Sequence, residues 1–402
     1  MWQIFFRFLS LGLVSFGGPA AHIGYFRQTF VIELKWLDEK AYGGLVALSQ
    51  FLPGPGSSQV GFAIGYLRGG LLGGIAAFLG FTLPSFILLF LLAVTSAQWM
   101  EYPITTSIIH SLKLLAVVVV ADAVWLMFNQ FCRNTPSRLV MIISGAIVLL
   151  QAAVWLQFVL LIFAALVGSV ALSDKSGQMA SGTFSDVTSV REPVKLNYFW
   201  LGIFALFLSG SVLLLSSQAD VHSTGNIQQE LIYLFSQFYQ VGSMVFGGGH
   251  VVLPLLEASV GDGMSSDRFL TGYALAQAVP GPMFALAAFL GAELWGTQPL
   301  TGALFATLAI FLPGFLLMLV ALRSWHGLSQ RPQIIGAITG VNACVVGFLL
   351  AALYQPIFTG AVVEPIDMVL VLLGFGLLKI FKPHILILVL LFISFGVISG
   401  CT

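Results

Sequence analysis

The sequence predicts an all-α polytopic membrane protein made of two homologous repeats of inverted topology, with helices broken or re-entrant at Pro-Gly-Pro and Gly-Gly motifs. Three observations predict this class. Of 402 residues, 58% are hydrophobic and only 8% charged, at a mean hydropathy of +0.99, whereas soluble domains carry about 25% charged residues. Leu52-Pro53-Gly54-Pro55-Gly56 returns as Val279-Pro280-Gly281-Pro282, each time inside a strongly apolar stretch. Other matches run in the same order through both halves. Gly12, Phe16, Gly17 and Gly18 fall on Gly242, Phe246, Gly247 and Gly248 at an offset of 230, and Gln50 falls with the Pro-Gly-Pro motif on Gln277 at 227. Gly73, Pro84 and Pro136 fall on Gly302, Pro313 and Pro365 at 229.

Residues 1–172 form the first repeat, 173–195 a polar linker, 196–216 an extra transmembrane helix without a partner, and 217–402 the second repeat. Each repeat opens with a short apolar helix, 4–18 or 231–248, that ends in a glycine cluster. A polar loop follows, then a helix pair interrupted at Pro-Gly-Pro. Proline removes a backbone donor and cannot continue a helix, so the break leaves polar backbone at membrane depth, which lipid cannot satisfy. A long helix with a proline kink comes next, at 71 to 95 and 300 to 322, then a helix at 108–131 or 333–354. Two apolar segments close each repeat, 139–150 with 157–172 and 366–380 with 384–399. At about 1.5 Å per residue several of these fall short of the roughly 30 Å hydrocarbon core.

Basic loops face the cytoplasm. Arg27, Lys35, Lys40 and Arg68 flank the first broken pair and Arg133 with Arg138 lie two crossings later, while 250–268 carries Glu257, Asp262 and Asp267 against Arg268. This reversal predicts inverted halves, the helix at 196–216 supplying the odd crossing, with the N-terminus inside and the C-terminus outside. The start of the chain has no charged region ahead of its apolar run and no small-residue cleavage site, so residue 1 is expected in the mature protein.

Sixteen basic residues balance sixteen acidic ones, which leaves no basic face for nucleic acid. Cys132, Cys344 and Cys401 lack the spacings of zinc or redox motifs and read as packing residues. The chain has no phosphate-binding Gly-x-x-x-x-Gly-Lys-Ser/Thr loop, no His-Glu-x-x-His and no Gly-x-Ser-x-Gly. Neither ATP hydrolysis, catalysis, a metal nor a cofactor is expected.

Paired breaks in two halves point to the binding site of a transporter. Pro53-Gly54-Pro55-Gly56-Ser57-Ser58 reads as the start of a half-helix, whose free amides and positive dipole end hold an anion without a charged side chain. Gln50 and Gln277 offer one amide from each half. Successive glycines at Gly17-Gly18 and Gly247-Gly248 let backbone amides converge as a nest. The second break continues Met283-Phe284 where the first has Gly56-Ser57, so the site is expected to be asymmetric, with its more polar end in the first half. The candidate ligand contacts are therefore Gly17, Gly18, Gln50, Pro53, Gly54, Pro55, Gly56, Ser57, Arg68, Gly247, Gly248, Gln277, Pro280, Gly281 and Pro282. His22 and His250, just past the glycine clusters, are the candidates for proton coupling. Arg68 and Lys113 are the basic residues nearest the apolar core; Lys113 has Asp122 nine residues on as one partner, or an interface to reach. Glu33, Asp38, Glu257 and Glu293 read as solvated acids at loops or helix ends, with proton coupling as the lesser alternative. Small-residue faces such as Gly69 to Gly74 permit a homodimer.

At these motifs the chain resembles the chromate ion transporter family over almost its whole length. The resemblance rests on Phe16-Gly17-Gly18-Pro19-Ala20-Ala21-His22, Pro53-Gly54-Pro55-Gly56, Gly65-Tyr66-Leu67-Arg68-Gly69-Gly70 and Leu83-Pro84. In the second half it rests on Phe246-Gly247-Gly248-Gly249-His250, Val252-Leu253-Pro254-Leu255-Leu256 and Pro280-Gly281-Pro282. It implies a multi-pass inner-membrane secondary transporter that exports chromate from the cytoplasm and confers chromate resistance, driven by membrane potential or a proton gradient. Near Lys113 this chain departs from the family pattern of a glycine and a polar amide, with Ser111 and Asp122. The alternatives are a transporter of sulfate or another tetrahedral oxyanion, a passive anion channel of the same architecture, and, ranked lowest, a membrane-embedded enzyme acting on a lipid.

Overall fold

The structure is a computed structural model that describes residues 1–99, 102–151, 153–172, 197–216, 227–246, 249–322 and 331–401. The described residues are helical, with no strand among them. The first half runs α1 (Trp2–Val14), α2 (Gly18–Phe26, extended by a wide turn Arg27–Glu33), α3 (Glu39–Phe51), α4 (Gly56–Trp99), α5 (Pro103–Phe131), α6 (Thr135–Leu150) and α7 (Val154–Ala171). After α8 (Tyr198–Ser216) the second half repeats the series. It comprises α9 (Ile227–Met244), α10 (Val252–Val260), α11 (Ser266–Ala278), α12 (Leu286–Leu294), α13 (Pro299–Ala321), α14 (Pro332–Ala352), α15 (Pro365–Ile380) and α16 (Ile385–Cys401).

Six stretches among the described residues are long and apolar enough to cross a membrane: Gly56–Ser96, Pro103–Phe131, Val154–Ala171, Tyr198–Ser216, Pro299–Ala321 and Pro332–Ala361. The first of these folds back on itself. Gly69 and Gly70 leave helical geometry (φ −146° and +62°), so α4 is a hairpin of a short arm and a long one. A methyl group on Gly65 would lie 2.3 Å from the Gly73 carbonyl oxygen, and one on Gly74 2.7 Å from the Phe62 ring. Of the small-residue stretch Gly69 to Gly74, Gly73 and Gly74 are buried inside the hairpin and Gly69 and Gly70 are exposed at its tip. The second half makes the same close approach with Gly291 and Gly302.

Helices α3 and α11 have 13 residues each, about 20 Å of rise, which stops them short of a full crossing. Asp38 caps α3 by accepting from the Ala41 amide, and Ser265 caps α11 from Arg268. Both Pro84 and Pro313 lie inside their long helices as expected. Helix α6 begins at Thr135 rather than 139 because Pro136 occupies its first turn and the Ser137 hydroxyl accepts from the Asn134 amide.

The halves interlock. Helices α6 and α7 pack on α14, and their counterparts α15 and α16 pack on α5. Glycines allow the approach: a methyl on Gly145 would lie 3.0 Å from the Gly347 carbonyl oxygen, and one on Gly374 3.0 Å from Val118. Within each half the opening helix lies on the long one, Gly12 against the Phe81 carbonyl and Gly242 against that of Ile310. Helix α8 stands at the rim on α9 and α13, with the Tyr239 hydroxyl donating to the Phe204 carbonyl at 3.2 Å. The polar linker expected at 173–195 lies outside the described residues.

Candidate functional site

The two Pro-Gly-Pro breaks are tied to the opposite half. Leu52 closes α3 in an extended conformation, and Gly54 turns the chain at φ +121°. The Gly54 amide donates to the Val245 carbonyl at the end of α9, 2.7 Å away. In mirror fashion Gly281, at φ +108°, donates to the Ser15 carbonyl at the end of α1, 2.9 Å away. Both positions require glycine twice over, for the left-handed backbone and for space. A methyl on Gly54 would lie 2.8 Å from Gly314 Cα, and one on Gly281 2.8 Å from Ser85 Oγ. Gly314 and Ser85 directly follow the kinking prolines, so each break is seated on the other half's kink. The amides of Gly54 and Gly281, expected to be free for a ligand, are thus consumed by the framework.

Free amides lie one step further on. Gly17 (φ +99°) and Gly18 (φ +75°) start α2 with Pro19 in its first turn, and Gly56 starts α4. First-turn amides have no carbonyl one turn back to receive them, and the helix dipole adds positive potential there. Both helix starts face one cavity of about 730 Å³. Of the expected contacts, Gly17, Gly18, Gln50, Gly54, Gly56, Ser57, Gln277 and Gly281 line it. Gln277 sits beside the Tyr273 hydroxyl, and its Nε2 is buried without a partner among the described residues.

Other expected residues stand elsewhere. Pro53, Pro55, Pro280 and Pro282 shape the breaks without lining the cavity. Arg68 is exposed at the tip of the α4 hairpin, its guanidinium 5.3 Å from the centre of the Trp36 ring. His22 is fully buried behind the site, its Nδ1 3.2 Å from Ser57 Oγ and its Nε2 3.3 Å from the Ser15 carbonyl oxygen. It therefore braces Ser57 from behind. Gly247 and Gly248 lie outside the described residues; His250 falls in the short turn Gly249–Val251. Lys113 donates to Asp267 of the second half at 2.5 Å, and Asp122 pairs with Lys379. A Lys113–Asp122 pair is excluded by geometry, since nine residues at about 100° each put the two on opposite helix faces.

The chain matches the chromate transporter family over residues 2–169 and 232–398. It belongs to the chromate transporter family. One matched stretch falls in each half, and α8 lies between them. The chain is 27% identical to an uncharacterized transporter of Methanocaldococcus jannaschii, over 98% of this chain and 93% of that one. It is 28% identical to a chromate transport protein of Pseudomonas aeruginosa, over 86% of this chain and 79% of that one. It is 27% identical to a probable chromate transport protein of Synechococcus elongatus, covering 86% and 81%. No solved structure matches the chain significantly.

In this member of the chromate transporter family, sequence reasoning missed two groups at the site. Gln59, fully buried, donates through Nε2 to the Pro53 carbonyl at 2.8 Å and to that of Gly314 at 3.0 Å, stapling the first break to the second half. Its only signal was an amide one turn past the break. Lys382 and His384, in the loop between α15 and α16, line the cavity and bring basic side chains to it, with Tyr25 Oη 3.4 Å from His384 Nε2. Nothing local announces them, because the interlocking of the halves is what carries that loop to the first half's site.

Proposed function

We propose that the cavity binds chromate, or a tetrahedral dianion of the same size, and that the protein exports it across the inner membrane by rocking two inverted halves about the crossed breaks. The observation that carries this reading is the convergence of two glycine-led helix starts, Gly17-Gly18 and Gly56-Ser57, with Gln50 and Gln277 on one cavity. Amides, a hydroxyl and carboxamides supply donors all round a dianion, and Lys382 with His384 adds positive potential. The relatives named for chromate transport support the substrate. Moving one charge through 100 mV is worth about 2.3 kcal/mol, so a dianion leaving a negative interior gains roughly 4.6 kcal/mol without ATP. Export of this kind would confer chromate resistance.

The test is uptake of chromate into inside-out vesicles carrying the purified protein, with membrane potential and pH gradient imposed separately and sulfate as competitor. Saturable uptake that follows the potential is expected. Movement of sulfate in place of chromate would replace the substrate, and unsaturable flux would make the protein a channel.

A further inference from the structure

A second, smaller cavity of about 90 Å³ lies between α7, α10 and the end of α14. Its polar lining is Gln157, Glu257 and Gln355. Gln157 is fully buried in an apolar helix, and neither its Oε1 nor its Nε2 has a partner among the described residues. A carboxamide buried with nothing to bond loses its hydration without compensation. Glu257 is half-buried, and no described residue pairs with its carboxylate. The acids of α3, α5, α11, α12 and α15 are differently placed: Asp38 caps its helix, and Glu39, Asp122, Asp267, Glu293 and Asp367 each have a basic partner.

A carboxylate and an amide that no described residue pairs, both facing one cavity, call for a third party. Among the described residues no other charged one lines the space, so that party must bring positive charge. The available donors are all oxygens, from one carboxylate and two carboxamides, a set that suits a hard cation. The volume holds such an ion with a small number of waters. We propose that this pocket binds a monovalent cation, Na⁺ or H⁺, that neutralises Glu257. Burial pushes the Glu257 carboxyl above its usual range, with no neighbouring charge contributing.

The position of the pocket adds a second argument. The offset of 229 that relates the halves carries Leu149, Ala351, Ala352 and Gln355 onto Leu378, Asp122, Ala123 and Leu126, four residues of the large cavity. The two spaces occupy equivalent places in the two halves. One has Lys382 and His384, its Asp122 being paired with Lys379, and suits an anion; the other has Glu257 as its charged residue among those described and suits a cation.

The test is thermal unfolding of the purified full-length protein in detergent, in NaCl against choline chloride at equal ionic strength and across pH, for wild type, Glu257→Gln and Gln157→Leu. A Na⁺ site predicts a melting temperature that climbs with Na⁺ in wild type, no climb in Glu257→Gln, and a half-saturating Na⁺ concentration about 10-fold higher in Gln157→Leu. A proton site predicts no Na⁺ effect. Because the folded carboxyl binds its proton more tightly than the unfolded one, relative stability is then highest in acid and is lost as pH rises through the raised folded value; Glu257→Gln removes that slope. The proposal is overturned if wild type responds to neither, or if Glu257→Gln responds as wild type does. Since the readout is binding, failure of chromate transport leaves it intact.

Discussion

The break at Pro53-Gly54-Pro55 and the break at Pro280-Gly281-Pro282 share one backbone device and differ in what they do with it. In both, a glycine of positive φ gives its amide to the far half and sits on a proline-kinked helix. After that they diverge. The first continues Gly56-Ser57 into a helix start on the cavity, with Gln59 stapled across the two halves. The second continues into the short turn Met283–Ala285, whose side chains are buried and apolar. The lesson is that the scaffold needs the device twice whereas the ligand chemistry needs it once, which is why one half can keep glycine and proline and lose its serines.

The largest expected effect breaks the shared device. Gly54→Ala forces a side chain into left-handed backbone and against the Gly314 main chain, a combined cost of about 2–5 kcal/mol. Gly281→Ala pays the same backbone cost but meets the Ser85 side chain, which can be removed. Thermal unfolding and vesicle uptake should therefore rank Gly54→Ala below Gly281→Ala. Adding Ser85→Gly should recover part of the loss in Gly281→Ala, because Gly is what the other half has at that position. Equal losses, or no recovery in the double variant, would remove the asymmetry.

The middle effects separate staple from ligand. Gln59→Leu leaves the Pro53 and Gly314 carbonyls without their side-chain donor, and should cost roughly 1–3 kcal/mol of stability. Gln277→Leu removes a carboxamide whose neighbour in the described protein is the Tyr273 hydroxyl and which lines the cavity, so it should cost less stability than Gln59→Leu and raise the KM for the anion. One neutral hydrogen bond of about 0.5–1.5 kcal/mol predicts about a 2- to 10-fold rise. A stability loss in Gln277→Leu at unchanged KM would make both glutamines framework residues.

What was legible in the sequence is what repeats or breaks a local rule. Duplicated Pro-Gly-Pro motifs, glycine clusters and the matched Gln50 and Gln277 needed no three-dimensional knowledge, and all but Gly247 and Gly248, which lie outside the described residues, are found at the crossed breaks or on the cavity. Long-range pairing was not legible. Val245 receives the Gly54 amide and Asp267 receives Lys113 only because the halves interlock, and a hydropathy pattern carries no record of which helix lies beside which. Glu257 shows the same limit from the other side. In the sequence it reads as a solvated acid at a helix end, with proton coupling the lesser alternative, and only the packing of α6, α7 and α14 around it makes a cavity there.

Arg68 gives the smallest expected effect and the sharpest check on where the site ends. It is part of a motif that carries the family resemblance, and an arginine in an apolar region invites a role in anion binding. Yet it sits exposed at the hairpin tip over Trp36, and it is absent from the cavity wall. An exposed cation–π contact is worth about 0.5–1 kcal/mol, so Arg68→Ala should lower stability by no more than that and leave the KM and the maximal rate of vesicle uptake as they are. A raised KM in Arg68→Ala would mean that the anion passes the hairpin tip on its way in. The site would then extend beyond the crossed breaks along the first half alone, enlarging the difference between the two halves.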